Sequence, residues 1–185
     1  WDARSMAGFD FPLCAAGIHP DGSEPELVLS SLWLTWGTYA DDYLPAVYGR
    51  ARDMAGAKAW IARLLAFMPV DLGPTPPPVT ALERGLGDLW PRTVEPMCPA
   101  ARQRMRNGLE KMLRSWLWEL ANLIQNRIPD PVDYLEMRRA TFGADLTMTL
   151  RMITPGREIP PELASSRPLR VLATTAANCA GLTND

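Results

Sequence analysis

Two adjacent carboxylates, Asp41 and Asp42, are the residues whose type and position best suit chemistry. They follow a long apolar stretch, where neighbouring carboxylates repel one another and lose solvation unless a cation offsets their charge. Such hard oxygen ligands suit Mg²⁺, which takes one or two carboxylates and completes its shell with water or phosphate oxygens. The pair therefore favours a Mg²⁺ site, and the alternative is that two aspartates simply end a helix in solvent.

Further polar groups occur later in the chain. Arg138 and Arg139 lie inside an amphipathic pattern. A guanidinium beside a cavity can bind phosphate oxygens in bidentate fashion, whereas the alternative is a solvated helix face or a partner for Glu136. Asn184 and Asp185 follow an apolar stretch rich in small residues, and on spacing alone they are interpreted as a polar chain end.

Aromatic residues are abundant, with seven tryptophans, four tyrosines and four phenylalanines. Trp33, Trp36, Tyr39 and Trp116 could line an apolar cavity and stabilise a carbocation through their ring quadrupoles. Packing in the hydrophobic core is the alternative interpretation for the same four residues.

The histidine and cysteine content argues against other kinds of site. The single histidine, His19, lies in a His-Pro-Asp turn and is predicted to be a surface loop residue, so histidine-based catalysis is disfavoured. Cys14, Cys98 and Cys179 are far apart, which fits neither a disulfide scaffold nor a zinc site. Such cysteine usage is typical of the reducing cytoplasm, where we expect the protein to reside.

Length and composition predict one globular domain over 1–185. The apolar share of 47% can fill a core, and a net charge of −2 disfavours nucleic-acid binding by phosphate neutralisation. The longest uncharged apolar stretch, 27–40, has 14 residues, fewer than the roughly 18 that a membrane span needs. No signal peptide is recognised, and both ends fall inside predicted elements, so we expect the native protein to be longer.

Hydrophobic periodicity predicts an all-α fold, since runs with strand alternation are absent. Apolar residues recur three and four apart over 25–44, which predicts the first strong helix. Thr80 and Glu83 form a capping-box pattern that starts another helix, and Asp130 is predicted to cap a third. The remaining helices are predicted over 52–68, 99–127, 131–153 with an interruption at Gly143, and 168 onward.

Six segments, in order along nearly the whole chain, carry a family pattern. They are WLTWGTYADDY (33–43), FMPVD (67–71), ERGL (83–86), SWLWELAN (115–122), QNRIPDPVDY (125–134) and TFGADLTM (141–148). Together they resemble the bacterial class I terpene synthases, and within them the C-terminal, geosmin-forming domains of germacradienol/geosmin synthases.

The resemblance implies a class I terpene synthase helical bundle around an apolar active-site cleft, with metal motifs on opposite walls and Mg²⁺ as cofactor. It implies that Asp41 and Asp42 form the aspartate-rich motif. The second motif, of the form Asn-Asp-x-x-Ser-x-x-x-Glu, would begin at Asn184 and Asp185, so that its remainder lies beyond this sequence and the bundle is incomplete at its C-terminal side.

The same resemblance implies a substrate and a partner. The diphosphate-sensing arginine would be Arg138, with Arg139 as the second choice. A covalently linked N-terminal domain would cyclise farnesyl diphosphate to germacradienol, and this domain would convert that alcohol to geosmin with release of acetone. The reaction would begin by protonation of an alkene, with Asp41, Asp42 or a metal-bound water as the acid; these three alternatives stay open.

The sequence departs from ordinary class I cyclases at one point. Those enzymes carry a third acidic residue three or four places after the aspartate pair, where this chain has Pro45 and Ala46. A missing carboxylate should weaken a Mg²⁺ cluster that removes diphosphate, which agrees with a substrate that has none. The alternatives are a sesquiterpene cyclase that ionises farnesyl diphosphate and a catalytically silent scaffold domain.

Overall fold

Helices make up the regular secondary structure, as the sequence predicts. The computed structural model describes residues 1–150 and 160–184, and within these it has no strand. Its α-helices are α1 (Ala3–Phe9), α2 (Phe11–Ile18), α3 (Glu24–Leu44), α4 (Met54–Leu65), α5 (Ala81–Val94), α6 (Pro99–Gln125), α7 (Pro131–Thr141), α8 (Ala144–Leu150), α9 (Pro161–Ala164) and α10 (Arg167–Asn184). A π-helical turn, Pro45–Gly49, follows α3. The all-α prediction is confirmed.

The predicted helix starts coincide with caps in the structure. Thr80 accepts a hydrogen bond from the backbone N–H of Glu83, and the Glu83 carboxylate accepts from the Thr80 N–H, which completes the capping box of α5. Asp130 accepts from the backbone N–H of Val132 at 2.8 Å and caps α7. The helix predicted over 25–44 is α3, and it also begins with a capping box.

The predicted helix over 131–153 is interrupted, as its glycine suggested. Thr141 ends α7, and Gly143 has φ 75°, a left-handed conformation that favours glycine. The chain then starts α8 at Ala144, so the two helices diverge around this turn. Residues 151–153 of the prediction lie outside the described residues.

The N-terminal region differs most from the predictions. Neither α1 nor α2 was predicted, although Asp2 and Asp10 cap them by accepting backbone hydrogen bonds. His19 is not a surface residue: it is 7% exposed and ends α2, with its backbone N–H donating to the carbonyl oxygen of Ala15 at 2.9 Å. The surface prediction for His19 is therefore wrong, because α2 packs this turn against α3.

Buried tryptophans fasten α3 and α6 to their neighbours. The indole N–H of Trp33 donates to the hydroxyl oxygen of Thr93 in α5 at 2.8 Å. The indole N–H of Trp116 donates to the carbonyl oxygen of Thr141 at the end of α7, at 3.0 Å. Both rings are at most 2% exposed, so each combines a large apolar burial with a satisfied polar group. These bonds fix the walls between which the site lies.

Within residues 1–150 and 160–184, no helix combines the length and the hydrophobicity that a bilayer crossing requires.

Candidate active site

A cavity of about 200 Å³ opens between α3, α6, the α7–α8 turn and the end of α10. Trp33 and Gly37 of α3 lie on one wall, and Met112 and Trp116 of α6 lie on the next. A Cβ atom added at Gly37 would meet no heavy atom within 4 Å, so this glycine leaves open space beside the ring of Trp33. Hydrocarbon from these residues lines the cavity together with the polar side chains of Thr38, Thr141 and Thr147.

Asp41 lies at the mouth of this cavity, two helical turns after Trp33 on the same face of α3. Its side chain keeps contact with solvent, yet the surrounding protein desolvates the carboxyl group and raises its pKa to about 6. The negative charges of Glu119 and Asp42 act in the same direction, and the Arg138 guanidinium opposes them. Asp41 is therefore an electrostatically strained group facing an apolar chamber.

Arg138 and Asn184, two further residues predicted for the site, also line this cavity. The guanidinium Nη2 of Arg138 donates to the side-chain oxygen of Asn184 at 2.9 Å, which joins α7 to the end of α10. The Arg138 guanidinium carbon also lies 5.2 Å from the ring centre of Phe142, a cation–π distance. Residues 41, 138 and 184, which are distant in sequence, thus converge on one opening.

Arg139, the second choice for the diphosphate-sensing arginine, does not line this cavity. Its Nη1 atom donates to the side-chain oxygen of Asn178 in α10 at 3.3 Å. It therefore joins the same two helices as Arg138, but at a place one or two turns farther from the cavity mouth. Of the two arginines, Arg138 has the position that substrate contact would need.

Asp42 also points elsewhere. Its Oδ2 atom accepts a hydrogen bond from the indole N–H of Trp1 at 2.8 Å. Asp42 lies with Asp41 and Glu119 around a neighbouring pocket of about 210 Å³ that Pro45 helps to enclose, and it is not among the residues that line the cavity beside Trp33. The two aspartates of the predicted motif therefore have different surroundings.

Trp36 and Tyr39 do not share the cavity with Trp33 and Trp116. They lie on another side of α3, in a groove of about 380 Å³ that Leu82 and α5 help to form. The indole N–H of Trp36 donates to the carbonyl oxygen of Leu82 at 2.9 Å, which holds the ring there. Helical periodicity accounts for the difference, since position 36 lies about 100° and position 39 about 160° around the helix from the centre of the stripe formed by 33, 37 and 41.

Sequence reasoning did not single out Glu119 or Gly37. Glu119 lies on α6 within the same small pocket as Asp41 and raises its pKa. In the sequence, Glu119 could have been noticed as an acidic residue between the apolar Trp116 and Leu120 of the same predicted helix. Gly37 could have been noticed as a glycine in the middle of a strong helix, where it costs stability unless the missing side chain serves a purpose.

The donor atoms at the cavity fit a hydrated Mg²⁺ ion. Asp41 and Asn184 offer side-chain oxygens, the ligand type that Mg²⁺ prefers, and a cation would relieve the repulsion on Asp41. Across the described ranges 1–150 and 160–184, no three His, Cys, Asp or Glu side chains lie close enough together to hold a metal. An ion would therefore keep water or substrate oxygens in most of its shell. Asp185 lies outside the described residues.

Several proteins of known activity or structure are similar to this chain. The (−)-delta-cadinene synthase of Streptomyces clavuligerus is 28% identical over 194 residues, which cover 100% of this chain and 55% of that protein. The pristinol synthase of Streptomyces pristinaespiralis is 27% identical over 173 residues, covering 92% and 46%. The germacradien-4-ol synthase structure from Streptomyces citricolor has a TM-score of 0.86 at 23% identity, covering 100% and 58%, and shows the same fold.

The chain spans about half the length of the curated relatives it matches. Residues 32–185 match the family described as terpene synthase family 2, C-terminal metal binding. The expected class I terpene synthase fold is confirmed, and the family implies a divalent metal. The assignment to geosmin-forming domains stays a prediction. The chain, with its carboxylate at the mouth of an aromatic-walled cavity, belongs to terpene synthase family 2.

Proposed function

We propose that this chain is the metal-binding part of a terpene cyclase, in which a carbocation is formed and folded inside the cavity beside Asp41. One observation carries the proposal: Asp41, Arg138 and Asn184 meet at the mouth of a chamber walled by Trp33 and Trp116. A cationic hydrocarbon needs an apolar, water-poor space with electron-rich walls, and a charged mouth that binds the polar end of the substrate.

Each residue has a distinct part in this scheme. Trp33 and Trp116 would stabilise cationic carbon through their rings, and their N–H groups are already bonded within the protein. Arg138 would bind an anionic or hydroxyl group at the mouth. Asp41 and Asn184 would hold Mg²⁺; Asp42, which the family resemblance also predicts as a ligand, does not line the cavity and is bonded to Trp1. When bound, that ion supplies Lewis acidity and charge stabilisation at substrate oxygen.

The finer proposal is that the domain converts germacradienol to geosmin. Germacradienol plus one water gives geosmin plus acetone: protonation of an alkene starts cyclisation, fragmentation releases the isopropanol side chain as acetone, and a second protonation, a hydride shift and water capture complete the product. Besides the sequence resemblance, the absent third carboxylate supports it, because Pro45 and Ala46 begin a π-helical turn and offer no side-chain oxygen.

The proton donor is a carboxyl group in this proposal. Asp41 lines the cavity, and its pKa of about 6 leaves about one-tenth of the carboxyl groups protonated at pH 7. The same raised pKa disappears once a cation sits beside the carboxylate, so Asp41 acts as acid only in a state in which it does not bind metal. A metal-bound water is the alternative donor.

The second candidate is a sesquiterpene cyclase that ionises farnesyl diphosphate. The observation that favours it is Arg138, whose guanidinium lies at the cavity mouth beside Asn184, where a diphosphate would need a cation. The relatives' names, which include a delta-cadinene synthase and a pristinol synthase, agree with sesquiterpene chemistry as well.

Product analysis separates the two candidates. The purified full-length protein is incubated with Mg²⁺ and either germacradienol or farnesyl diphosphate, and volatile products are identified by gas chromatography and mass spectrometry. If a linked N-terminal domain makes germacradienol, the diphosphate incubation is repeated with that domain inactivated. Geosmin and acetone from germacradienol alone support the first candidate, and cyclic hydrocarbons from the diphosphate support the second.

A variant tests whether the cavity is the site. Asp41→Asn should abolish product formation, whereas the exposed Asp133→Asn, which lies away from the cavity, should leave it unchanged. Activity that survives Asp41→Asn and Asp42→Asn together would identify a silent scaffold domain and overturn the proposal. A covalently linked N-terminal terpene synthase domain and a cytoplasmic location belong to the same proposal.

A further inference from the structure

Within the described residues, Trp1 is the hydrogen-bond donor to the Asp42 carboxylate. Its indole N–H donates to Asp42 Oδ2 at 2.8 Å across 41 positions of sequence. The ring itself is held by neighbours, with centroids 4.6 Å from Phe9 and 5.2 Å from Tyr39. The N-terminal segment is thus anchored on the outer side of the aspartate pair.

The two carboxylates are therefore not equivalent. Asp41 shares the cavity with Arg138 and Asn184, whereas Asp42 is turned about one-quarter of a helical turn away and is bonded to Trp1. A carboxylate oxygen that accepts an N–H has a fixed rotamer, and its residual charge is partly compensated. Asp42 then restrains the end of α3, which carries Asp41.

We propose that Trp1 is a positioning residue for the metal site: by bonding Asp42 it fixes the end of α3 and leaves Asp41 as the carboxylate of the pair that directly binds the ion. This inference rests on the proposed metal-dependent function and deepens it. Groups that hydrogen-bond the surroundings of metal ligands typically contribute about 10- to 100-fold to metal affinity. Asp42 serves as the acceptor in this arrangement, so its role needs an oxygen but no charge.

The experiment measures binding of Mn²⁺ alone, by electron paramagnetic resonance, to the purified full-length protein. Mn²⁺ is a suitable probe because it shares the oxygen-ligand preference of Mg²⁺. Trp1→Phe keeps an aromatic ring but removes the N–H together with the five-membered ring that carries it, and it should weaken binding about tenfold or more. Asp41→Asn should weaken it further, and thermal melting of each variant verifies that the protein is folded.

Asp42 variants supply the matched controls. Asp42→Asn keeps an oxygen that can accept from the indole, so it should change Mn²⁺ affinity by less than about threefold. Asp42→Ala removes the acceptor and should weaken binding as Trp1→Phe does. The double variant Trp1→Phe/Asp42→Ala should be no weaker than Asp42→Ala alone, because both changes break one interaction.

The outcomes separate this inference from the function on which it rests. If the wild-type protein does not bind Mn²⁺, the metal-dependent function fails, and the role of Trp1 fails with it. If the wild type binds Mn²⁺ and the Trp1→Phe variant binds it equally well or more tightly, only the positioning role of Trp1 is overturned. If Asp42→Asn loses as much Mn²⁺ affinity as Asp41→Asn does, Asp42 is a direct ligand and the inference is also overturned.

Discussion

The two sides of helix α3 form concave surfaces with opposite character. The groove behind Trp36 and Tyr39 has a volume of about 380 Å³, larger than the cavity of about 200 Å³ beside Trp33 and Asp41. Only the smaller one gathers a carboxylate with a raised pKa, a guanidinium and an amide from three different helices. Size and apolarity alone therefore do not identify the site; converging polar groups do.

The largest expected effect comes from filling the cavity. Gly37→Leu places a side chain in open space beside Trp33, so the fold should tolerate it while substrate is displaced. We expect a loss of turnover of about 100-fold or a changed product distribution, since small misplacements of substrate have effects of this size. Product analysis and thermal melting of the same preparation provide the measurement.

The groove provides the matching control for that substitution. A Cβ atom at Gly85 would lie 3.1 Å from Cδ1 of Trp36, so Gly85→Ala should strain the groove wall and lower stability. The Gly85→Ala variant should give the same product distribution as the wild type. If Gly85→Ala changes the products and Gly37→Leu does not, the groove is the reaction chamber and the comparison between the two surfaces is reversed.

A stability effect of intermediate size is expected from the ion pair that supports α5, which forms one groove wall. Glu83 accepts from the Arg63 guanidinium at 2.7 Å and from the backbone N–H of Val79, and these bonds lower its pKa to about 2. Glu83→Gln should lower the free energy of unfolding by about 1–3 kcal/mol at neutral pH, as measured by urea denaturation.

The pH dependence of that stabilisation has a definite sign. Because the folded pKa of Glu83 lies below its ordinary value of 4.5, its contribution is fully present above about pH 4.5 and disappears as the pH falls toward 2. The difference in unfolding free energy between wild type and Glu83→Gln should shrink through this window. A difference that stays constant from pH 5 to about pH 2 would contradict the assignment.

The smallest effect concerns Asp41 and has the opposite sign. Its pKa is raised from 3.8 to about 6, so the native state is penalised once the pH exceeds both values. Without metal, Asp41→Asn should raise the free energy of unfolding by about 1 kcal/mol at pH 7, a value reduced for the solvent contact at the cavity mouth.

Denaturation measured between pH 3 and 8, in buffer that contains a metal chelator, tests this prediction for Asp41→Asn. The gain from Asp41→Asn should be absent near pH 3 and grow as the pH rises from about 4 to 6. A destabilised Asp41→Asn at pH 7 would mean that the carboxylate is well compensated in the native protein. The contrast between a strained carboxylate at the cavity mouth and a groove without one would then be lost.

Local patterns predicted the helices well because caps and apolar spacing are written in short stretches of sequence. Thr80 with Glu83, and Asp130 before its proline, each marked a helix start that the structure confirms. The short α1 and α2 were missed, since a helix of fewer than three turns has too few periodic positions to be recognised.

The site was only partly predictable for a different reason. Asp41, Arg138 and Asn184 were identified as candidates by their types and by the family resemblance, and they do line one cavity. Trp36 and Tyr39 were grouped with Trp33 because all are aromatic, although their spacing along α3 already separates them from the stripe of 33, 37 and 41. Which side of α3 faces the site depends on how α5 and α6 pack around that helix. Trp1 could not be connected to Asp42, because nothing local links residues 41 positions apart.

Pro45, the first residue of the π-helical turn, has one further consequence for the main chain. Proline has no amide hydrogen, so Pro45 cannot donate to the carbonyl oxygen of Asp41, four residues earlier, as an α-helix would require. The peptide unit at Asp41 therefore lacks its ordinary helical donor, close to the carboxylate that faces the chamber. Residue 41 contributes electronegative oxygen from both its backbone and its side chain to the same end of the helix.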